Sequence, residues 1–243
     1  MKVDVSKNYD ELSRKVANEV MSLIKIKPNA VLCLASGNTT LGLYKVLHEY
    51  YILKKADFGF CTFIGLDDWL GMDENNPGGC RYYMKKNLIN PLSLKPEQIH
   101  FFDSKSAFPD EECRRINNII SALGGFDLMI LGIGMNGHLG LNEPGSDPGL
   151  YAHVTELDEI TKKVGQKYFN YETPLKKGIT LGLKHIMESR HVILMANGVH
   201  KAEIVKQALE GIINNRIPAS LIREHHNAAF YLDEEAYPFR VLP

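Results

Sequence analysis

Apolar positions along the chain switch repeatedly between two periods. Residues 9–25 place Leu12, Val16, Val20, Leu23 and Ile24 at helical spacing. AVLCLA (30–35) is a short apolar run of strand formers, SGNT (36–39) punctuates it, and LGLYKVLHEYY (41–51) resumes the helical period. This strand, tight loop and helix unit recurs. FCTFIGL (60–66) reads as a strand and RYYMKKNLI (81–89) as a helix; QIHFFD (98–103) reads as a strand, with a helix around 110–122. FDLMILGIG (126–134) is a strand running into glycines. HVILMA (191–196) precedes a helix at about 199–212, and NAAFYLD (227–233) is the last strand. Strands alternating with helices predict an α/β domain on a mainly parallel sheet. The nearly continuous apolar strands predict a sheet covered by helices on both faces. No repeat, low-complexity stretch or clean linker divides the chain, so one domain over residues 1–243 is expected. Segment 142–178 is rich in Gly, Pro and charge without clear periodicity, which predicts a lid or a site loop.

Composition narrows the function classes. With 243 residues, 44 % of them hydrophobic, the chain can bury a core without a metal or disulfide staple. Its 28 basic and 29 acidic residues leave a net charge of −1, which removes the electrostatic case for a nucleic-acid partner. The N-terminus MKVDVSKNYDELS is polar and lacks the apolar region of a signal peptide, and the apolar runs are strand-length, so no membrane span is predicted. Cys33, Cys61, Cys80 and Cys113 are widely spaced with no CxxC pair. That pattern reads as reduced thiols in a cytoplasmic protein and gives no structural zinc site.

In open α/β sheets, ligands bind beyond the carboxyl ends of the strands, and four elements there carry candidate chemistry. The first is Ser36, Gly37, Asn38 and Thr39, between a strand and a helix. Small residues and helix-start amides suit an anion, although a plain turn capping the helix has the same composition. The second is Asp67 and Asp68 at the end of an apolar strand. Paired carboxylates can raise one pKa and create a general base, or they can be a solvated turn. The third is GIGMNGHLGLNEPG (132–145). Its G-x-G-x-x-G, formed by Gly132, Gly134 and Gly137, follows a strand, but the Gly- and Pro-rich continuation is no helix, which argues against a dinucleotide site. It instead surrounds His138 with Asn136 two residues before and Glu143 five after, a composition suited to proton transfer near neutral pH. The fourth is Lys201 in GVHKAEI (198–204). A cation near a helix start does not help the helix dipole, so either a phosphate partners it or it is an exposed surface lysine.

In this order, these elements resemble the glucosamine-6-phosphate deaminase/isomerase family, from about residue 10 to residue 233. The matching motifs are SGNT (36–39), LDD (66–68), GIGMNGHLGLNEP (132–144), GITLGL (178–183) and GVHK (198–201). PGGC (77–80), GMNGHLGLNEPG (134–145), GITLGLKHI (178–186) and IPAS (217–220) look more like the galactosamine-6-phosphate isomerase branch. The resemblance implies a Rossmann-like parallel sheet and a cytoplasmic enzyme without cofactor or metal. The implied reaction converts a hexosamine 6-phosphate and water to a keto-hexose 6-phosphate and ammonia. In the implied roles His138, supported by Glu143 and Asn136, opens the sugar ring, and Asp67 moves a proton between C2 and C1. Ser36, Gly37, Asn38, Thr39, Lys201 and Lys167 hold the phosphate, and Asp68, Gly134 and Gly137 contact the sugar. Homo-oligomers and monomers both occur in such a family.

The chain also departs from the family pattern. It has Asn136 where Asp is common, which would leave His138 with one fewer charge partner. It has Asp67–Asp68 in place of Asp–Glu, Asn38 in place of Gly, Thr40 in place of Pro, and Lys167 in place of a phosphate-binding Arg. A lysine there supplies a point charge instead of a bidentate fork. Two alternatives fit less well. A 6-phosphogluconolactonase would carry Arg after the acidic pair and Leu-Phe-Pro at 142–144, whereas this chain has Trp69 and Asn142-Glu143-Pro144. A sugar-phosphate sensor with a DNA-binding module would need more than the roughly 29 residues before the first predicted strand.

Overall fold

The computed structural model describes residues 1–238. The first half contains β1 (Lys2–Ser6), α1 (Tyr9–Ile26), β2 (Val31–Leu34), α2 (Asn38–Ile52), β3 (Thr62–Ile64), β4 (Asp67–Trp69), α3 (Cys80–Met84), β5 (Ile99–His100) and α4 (Pro109–Leu123). The second half contains β6 (Leu128–Gly132), β7 (His153–Glu156), α5 (Glu159–Gly165), β8 (Lys177–Thr180), α6 (Leu183–Glu188), β9 (Val192–Ala196), α7 (Ala202–Glu210) and β10 (Ala228–Asp233). Seven strands form one sheet in the order β1-β10-β9-β6-β2-β3-β5, and every pairing in it is parallel.

Period-2 burial explains why the strands read as continuous apolar runs. Val31 and Cys33 of β2, Met129 and Leu131 of β6, and Phe230 of β10 enter one core, which α4, α6 and α7 cover. Leu32, Leu34, Leu128, Ile130 and Tyr231 enter the other, which α1 and α2 cover. Helix α1 starts where its sequence dictates: the Asn8 side chain accepts from Glu11 N at 2.9 Å, and Asp10 and Glu11 fill the first turn. The mainly parallel sheet with helices on both faces is therefore as the hydrophobic pattern predicts.

Four expectations change. The chain's first strand is β1, not AVLCLA; it is a short edge strand whose Lys-Val-Asp-Val alternation carries little apolar signal. QIHFFD pairs only at Ile99 and His100. The helix expected over 81–89 is α3 followed by a π-helical turn at Lys85–Ile89. Asp67 and Asp68 do not end β3. They open β4, in a second, antiparallel sheet of order β4-β8-β7, with Asp67 opposite Thr180 and Asp68 opposite Ile179. The aperiodic segment 142–178 thus supplies β7, α5 and the start of β8, packed over the carboxyl end of the main sheet around Trp69, Leu141, Leu157 and Leu175.

Candidate active site

The chain runs outward from β2 to β3 and β5, then returns to β6 on the other side of β2 and continues to β9 and β10. The strand order therefore reverses between β2 and β6, and a crevice opens beyond their carboxyl ends. A cavity of about 690 Å³ lies there, lined by the 35–40 loop, Asp67, Cys80, the 132–138 loop, α5 and Lys201.

At one end the phosphate-loop candidate is held by its carbonyls. Tyr44 and Thr40 hydroxyls donate to Ala35 O, Tyr83 Oη donates to Gly37 O at 2.7 Å, and Tyr9 Oη lies 2.9 Å from Asn38 O and 3.0 Å from Thr39 O. With the carbonyls engaged by protein hydroxyls and the Asn38 amide facing the Tyr168 hydroxyl, the following amides of the first turn of α2, which have no intrahelical acceptors, remain available to an anion. Gly37 has φ 126°, and a Cβ there would sit 3.3 Å from Tyr168 Oη, so the loop needs glycine at this turn.

Two lysines converge on this end. Lys201 Nζ donates to Ile133 O at 2.6 Å. Burial, with the Lys167 charge nearby, pulls Lys201 down to about 8. Burial also lowers Lys167, whose ammonium lies 5.0 Å from the Tyr168 ring centroid. Lys167 thus disfavours the charged form of part-buried Lys201, and an anion at this end of the cavity would restore it.

The other end carries the titratable pair. His138 Nδ1 lies 3.0 Å from Thr161 Oγ1 and 3.3 Å from Glu143 Oε2. The ring edge rests on Gly134, where a Cβ would come within 2.4 Å of His138 Nε2, so only glycine permits this packing. Nε2 has no protein partner among the described residues, and His138 lines the cavity. Glu143 Oε2 also accepts from Asn136 Nδ2 at 2.9 Å and Thr161 Oγ1 at 3.0 Å, while Oε1 accepts from Asp158 N at 3.2 Å. Burial pushes Glu143 up, but the His138, Asn136 and Thr161 contacts outweigh it and keep the carboxyl below its ordinary value. The side-chain amide of Asn136 therefore serves Glu143, not the imidazole ring, and its Oδ1 accepts from His138 N at 3.2 Å.

Asp67 lies on the cavity wall between the two ends. Burial raises its pKa to about 6; the Asp68 charge adds to this, and Cys80 and His138 oppose it. Asp68 points the other way, as successive strand residues do. Its Oδ1 accepts from Trp69 N at 2.9 Å and Cys80 N at 2.8 Å, and its Oδ2 accepts from Arg81 N at 3.1 Å. At 2 % exposure it is committed to the start of α3 and does not line the cavity, so the expected sugar contact is absent. Asp68→Asn removes the charge from a buried acceptor of three amides. It is expected to cost about 1–3 kcal/mol of stability, read as a lower urea midpoint at unchanged m-value. Gly137 likewise sits behind the 132–138 loop against Ile217, away from the cavity.

The structure thus brings Ser36, Gly37, Asn38, Thr39, Asp67, Gly134, His138, Lys167 and Lys201 to one cavity, with Asn136 and Glu143 behind His138. Sequence reasoning missed Thr161, Tyr168 and Cys80. Thr161 and Tyr168 come from the aperiodic segment, where one signal was present: Asp158 opens α5 by accepting from Ile160 N at 2.8 Å, an ordinary helix N-cap. Among the described residues, no group of three or more His, Cys, Asp or Glu side chains is placed to hold a metal ion, and no helix is long and apolar enough to cross a membrane.

An α/β sheet with a switch-point cavity, a candidate anion end and a histidine–carboxylate end is the arrangement expected of a sugar-phosphate enzyme. Residues 4–231 match the model of the glucosamine-6-phosphate isomerases/6-phosphogluconolactonase family, and the chain belongs to that family. It is 38 % identical over 237 residues to a glucosamine-6-phosphate deaminase of Thermoanaerobacter sp. (strain X514), covering 97 % of this chain and 94 % of that one. It is 35 % identical to a glucosamine-6-phosphate deaminase of Clostridium acetobutylicum, covering 97 % of this chain and 98 % of the other. A solved monomeric glucosamine-6-phosphate deaminase superposes with TM-score 0.95 at 34 % identity, covering 99 % of this chain and all of that one. The 6-phosphogluconolactonase of Trypanosoma brucei superposes with TM-score 0.77 at 20 % identity, covering 97 % of each chain, and shares the fold.

Proposed function

We propose that this protein is a hexosamine-6-phosphate deaminase/isomerase, acting as one domain in the cytoplasm. It converts an amino-hexose 6-phosphate and water to a keto-hexose 6-phosphate and ammonia. The observation that carries this reading is the raised Asp67 carboxyl in the same cavity as a Glu143-anchored imidazole and two converging lysines. The deaminase relatives at 35–38 % identity over 97 % of the chain support it.

The substrate phosphate binds the amides and hydroxyls of Ser36, Gly37, Asn38 and Thr39, with Lys201 and Lys167 supplying charge. This grip is remote from the reacting carbons, so its binding energy serves to orient them. Glu143 and Thr161 hold His138 through Nδ1, leaving Nε2 to exchange a proton with the ring oxygen as the pyranose opens. Asp67 then takes the C2 hydrogen as a proton, and the C2–C1 system shifts to an enol form. Returning that proton to C1 leaves an imine at C2, which water hydrolyses to the ketone and ammonia. A carboxyl near pH 6 holds and releases a proton more readily near neutrality than one near 4.

The relatives' names favour glucosamine 6-phosphate, and the PGGC and IPAS segments favour its C4 epimer, galactosamine 6-phosphate. Ammonia release from the two sugars at matched concentration tests the proposal. Turnover of at least one is expected, and the ratio of their kcat/KM values gives the preferred epimer. Release from neither would refute the assignment.

A further inference from the structure

We propose that Thr161 is a positioning residue for His138, its hydroxyl standing between the imidazole and Glu143 and fixing which ring nitrogen carries the proton. This rests on His138 being the proton carrier of the ring-opening step above. Thr161 lies in the first turn of α5, and that turn is seated on Glu143 at two points. Asp158 N donates to Glu143 Oε1 at 3.2 Å, and Thr161 Oγ1 donates to Glu143 Oε2 at 3.0 Å. The Asp158 side chain closes the same turn by accepting from Ile160 N at 2.8 Å. Residues three apart share a helix face, and side chains lean toward the helix N-terminus, which brings the residue 161 hydroxyl back over the carboxylate. Thr161 is buried, so its hydroxyl finds its partners within the protein.

A hydroxyl has one proton to give and two lone pairs to receive with. Burial pushes Glu143 up, but its partners hold the carboxyl below its ordinary value, so it is ionised and only accepts. The Thr161 proton therefore goes to Glu143, where the bond is charge-assisted. The two lone pairs face Asn136 Nδ2 at 3.5 Å and His138 Nδ1 at 3.0 Å. With the hydroxyl proton committed, Nδ1 must be the donor to Oγ1. Glu143 Oε2, 3.3 Å from Nδ1, demands the same, because a bare Nδ1 would turn its lone pair on the carboxylate. The neutral ring is thus the Nδ1–H form, which leaves Nε2 as an acceptor in the cavity. Of the two oxygens beside Nδ1, that of Thr161 lies inside the usual N–H···O range of about 2.7–3.2 Å and that of Glu143 outside it. Glu143 acts on the ring chiefly through the hydroxyl.

The test is nitrogen NMR of the ligand-free full chain labelled at histidine, at a pH where the ring is neutral, with His138→Gln identifying the signal. The native chain is expected to show the Nδ1–H form, its proton slow to exchange with water. Thr161→Val keeps the shape and removes the hydroxyl. The Nε2–H form should then appear beside the other, and Nδ1–H exchange should quicken by roughly tenfold, the worth of one hydrogen bond. Thr161→Ala, the better helix former, gives the same reading if the valine variant does not fold. Thr161→Ser keeps the hydroxyl and should match the native chain. Where the chain turns over an amino-sugar phosphate, kcat should fall in the valine and alanine variants and recover in the serine variant. KM should change little, since the phosphate grip is assigned to other residues. A valine or alanine variant that keeps only the Nδ1–H form, with native exchange, would overturn the proposal and give the ring to Glu143 alone. So would a serine variant that behaves as the valine variant is expected to. Because the NMR measurement needs no turnover, its outcome stands apart from whether the chain deaminates either sugar.

Discussion

Replacing Asp67 by Asn is expected to cut turnover by roughly 10²–10⁴-fold, the range for loss of a positioned general base. The substitution keeps the side chain's shape and removes its proton acceptor. Sugar-phosphate affinity should stay close to native, because the phosphate grip is assigned to the 36–39 loop and Lys201 and not to Asp67. Exchange of the C2 hydrogen with solvent should vanish together with product. The native pH profile carries the same signature. A base must be ionised to act, and burial holds Asp67 at about 6, so kcat/KM should fall as pH drops through that value. Asp68→Asn should reduce turnover less, since Asp68 acts on the α3 amides and not on substrate. An Asp67→Asn enzyme that exchanges the C2 hydrogen at the native rate would give the base role to another group.

Loss of Lys201 is expected to have the second largest effect. Lys201→Ala should weaken binding of a hexose 6-phosphate by about 1.5–3 kcal/mol, the worth of a charge-assisted hydrogen bond. This corresponds to roughly 10- to 150-fold in Kd. Inorganic phosphate should compete at the same place. Burial and Lys167 hold Lys201 at about 8 in the free protein, and the anion favours the charged form. Phosphate affinity should therefore fall as pH rises above 8, with a proton taken up on binding there. Isothermal titration in buffers of different ionisation enthalpy reads both. Unchanged affinity in the alanine variant would remove Lys201 from the phosphate grip.

The main sheet was legible because each of its inner strands buries both faces. Runs such as Leu128–Leu131 have no polar residue to break the apolar signal. The motifs at the ends of β2, β6 and β9 were legible for a related reason. A parallel sheet places its loops on one side, so glycines, Asp67, His138 and Lys201 far apart in sequence point to one crevice. The second sheet was not legible. β7 is four half-exposed or exposed residues and β4 only three, too short for a period to register, and both depend on pairing with β8. The same blindness hid Thr161 and Tyr168. It also made Asp68 look like a partner in chemistry, when pairing on β4 turns it toward the amides of Cys80 and Arg81. Spacing also placed Asn136 near His138 without showing that its amide turns to Glu143.

The most direct test of the account supplies the purified chain with glucosamine 6-phosphate, galactosamine 6-phosphate and 6-phosphogluconolactone in parallel, following ammonia, keto-hexose 6-phosphate and free acid. Equal amounts of ammonia and keto-hexose 6-phosphate are expected from at least one amino sugar, abolished in Asp67→Asn, with the lactone hydrolysed no faster than in buffer. Catalysed lactone hydrolysis with no ammonia from either amino sugar would contradict it.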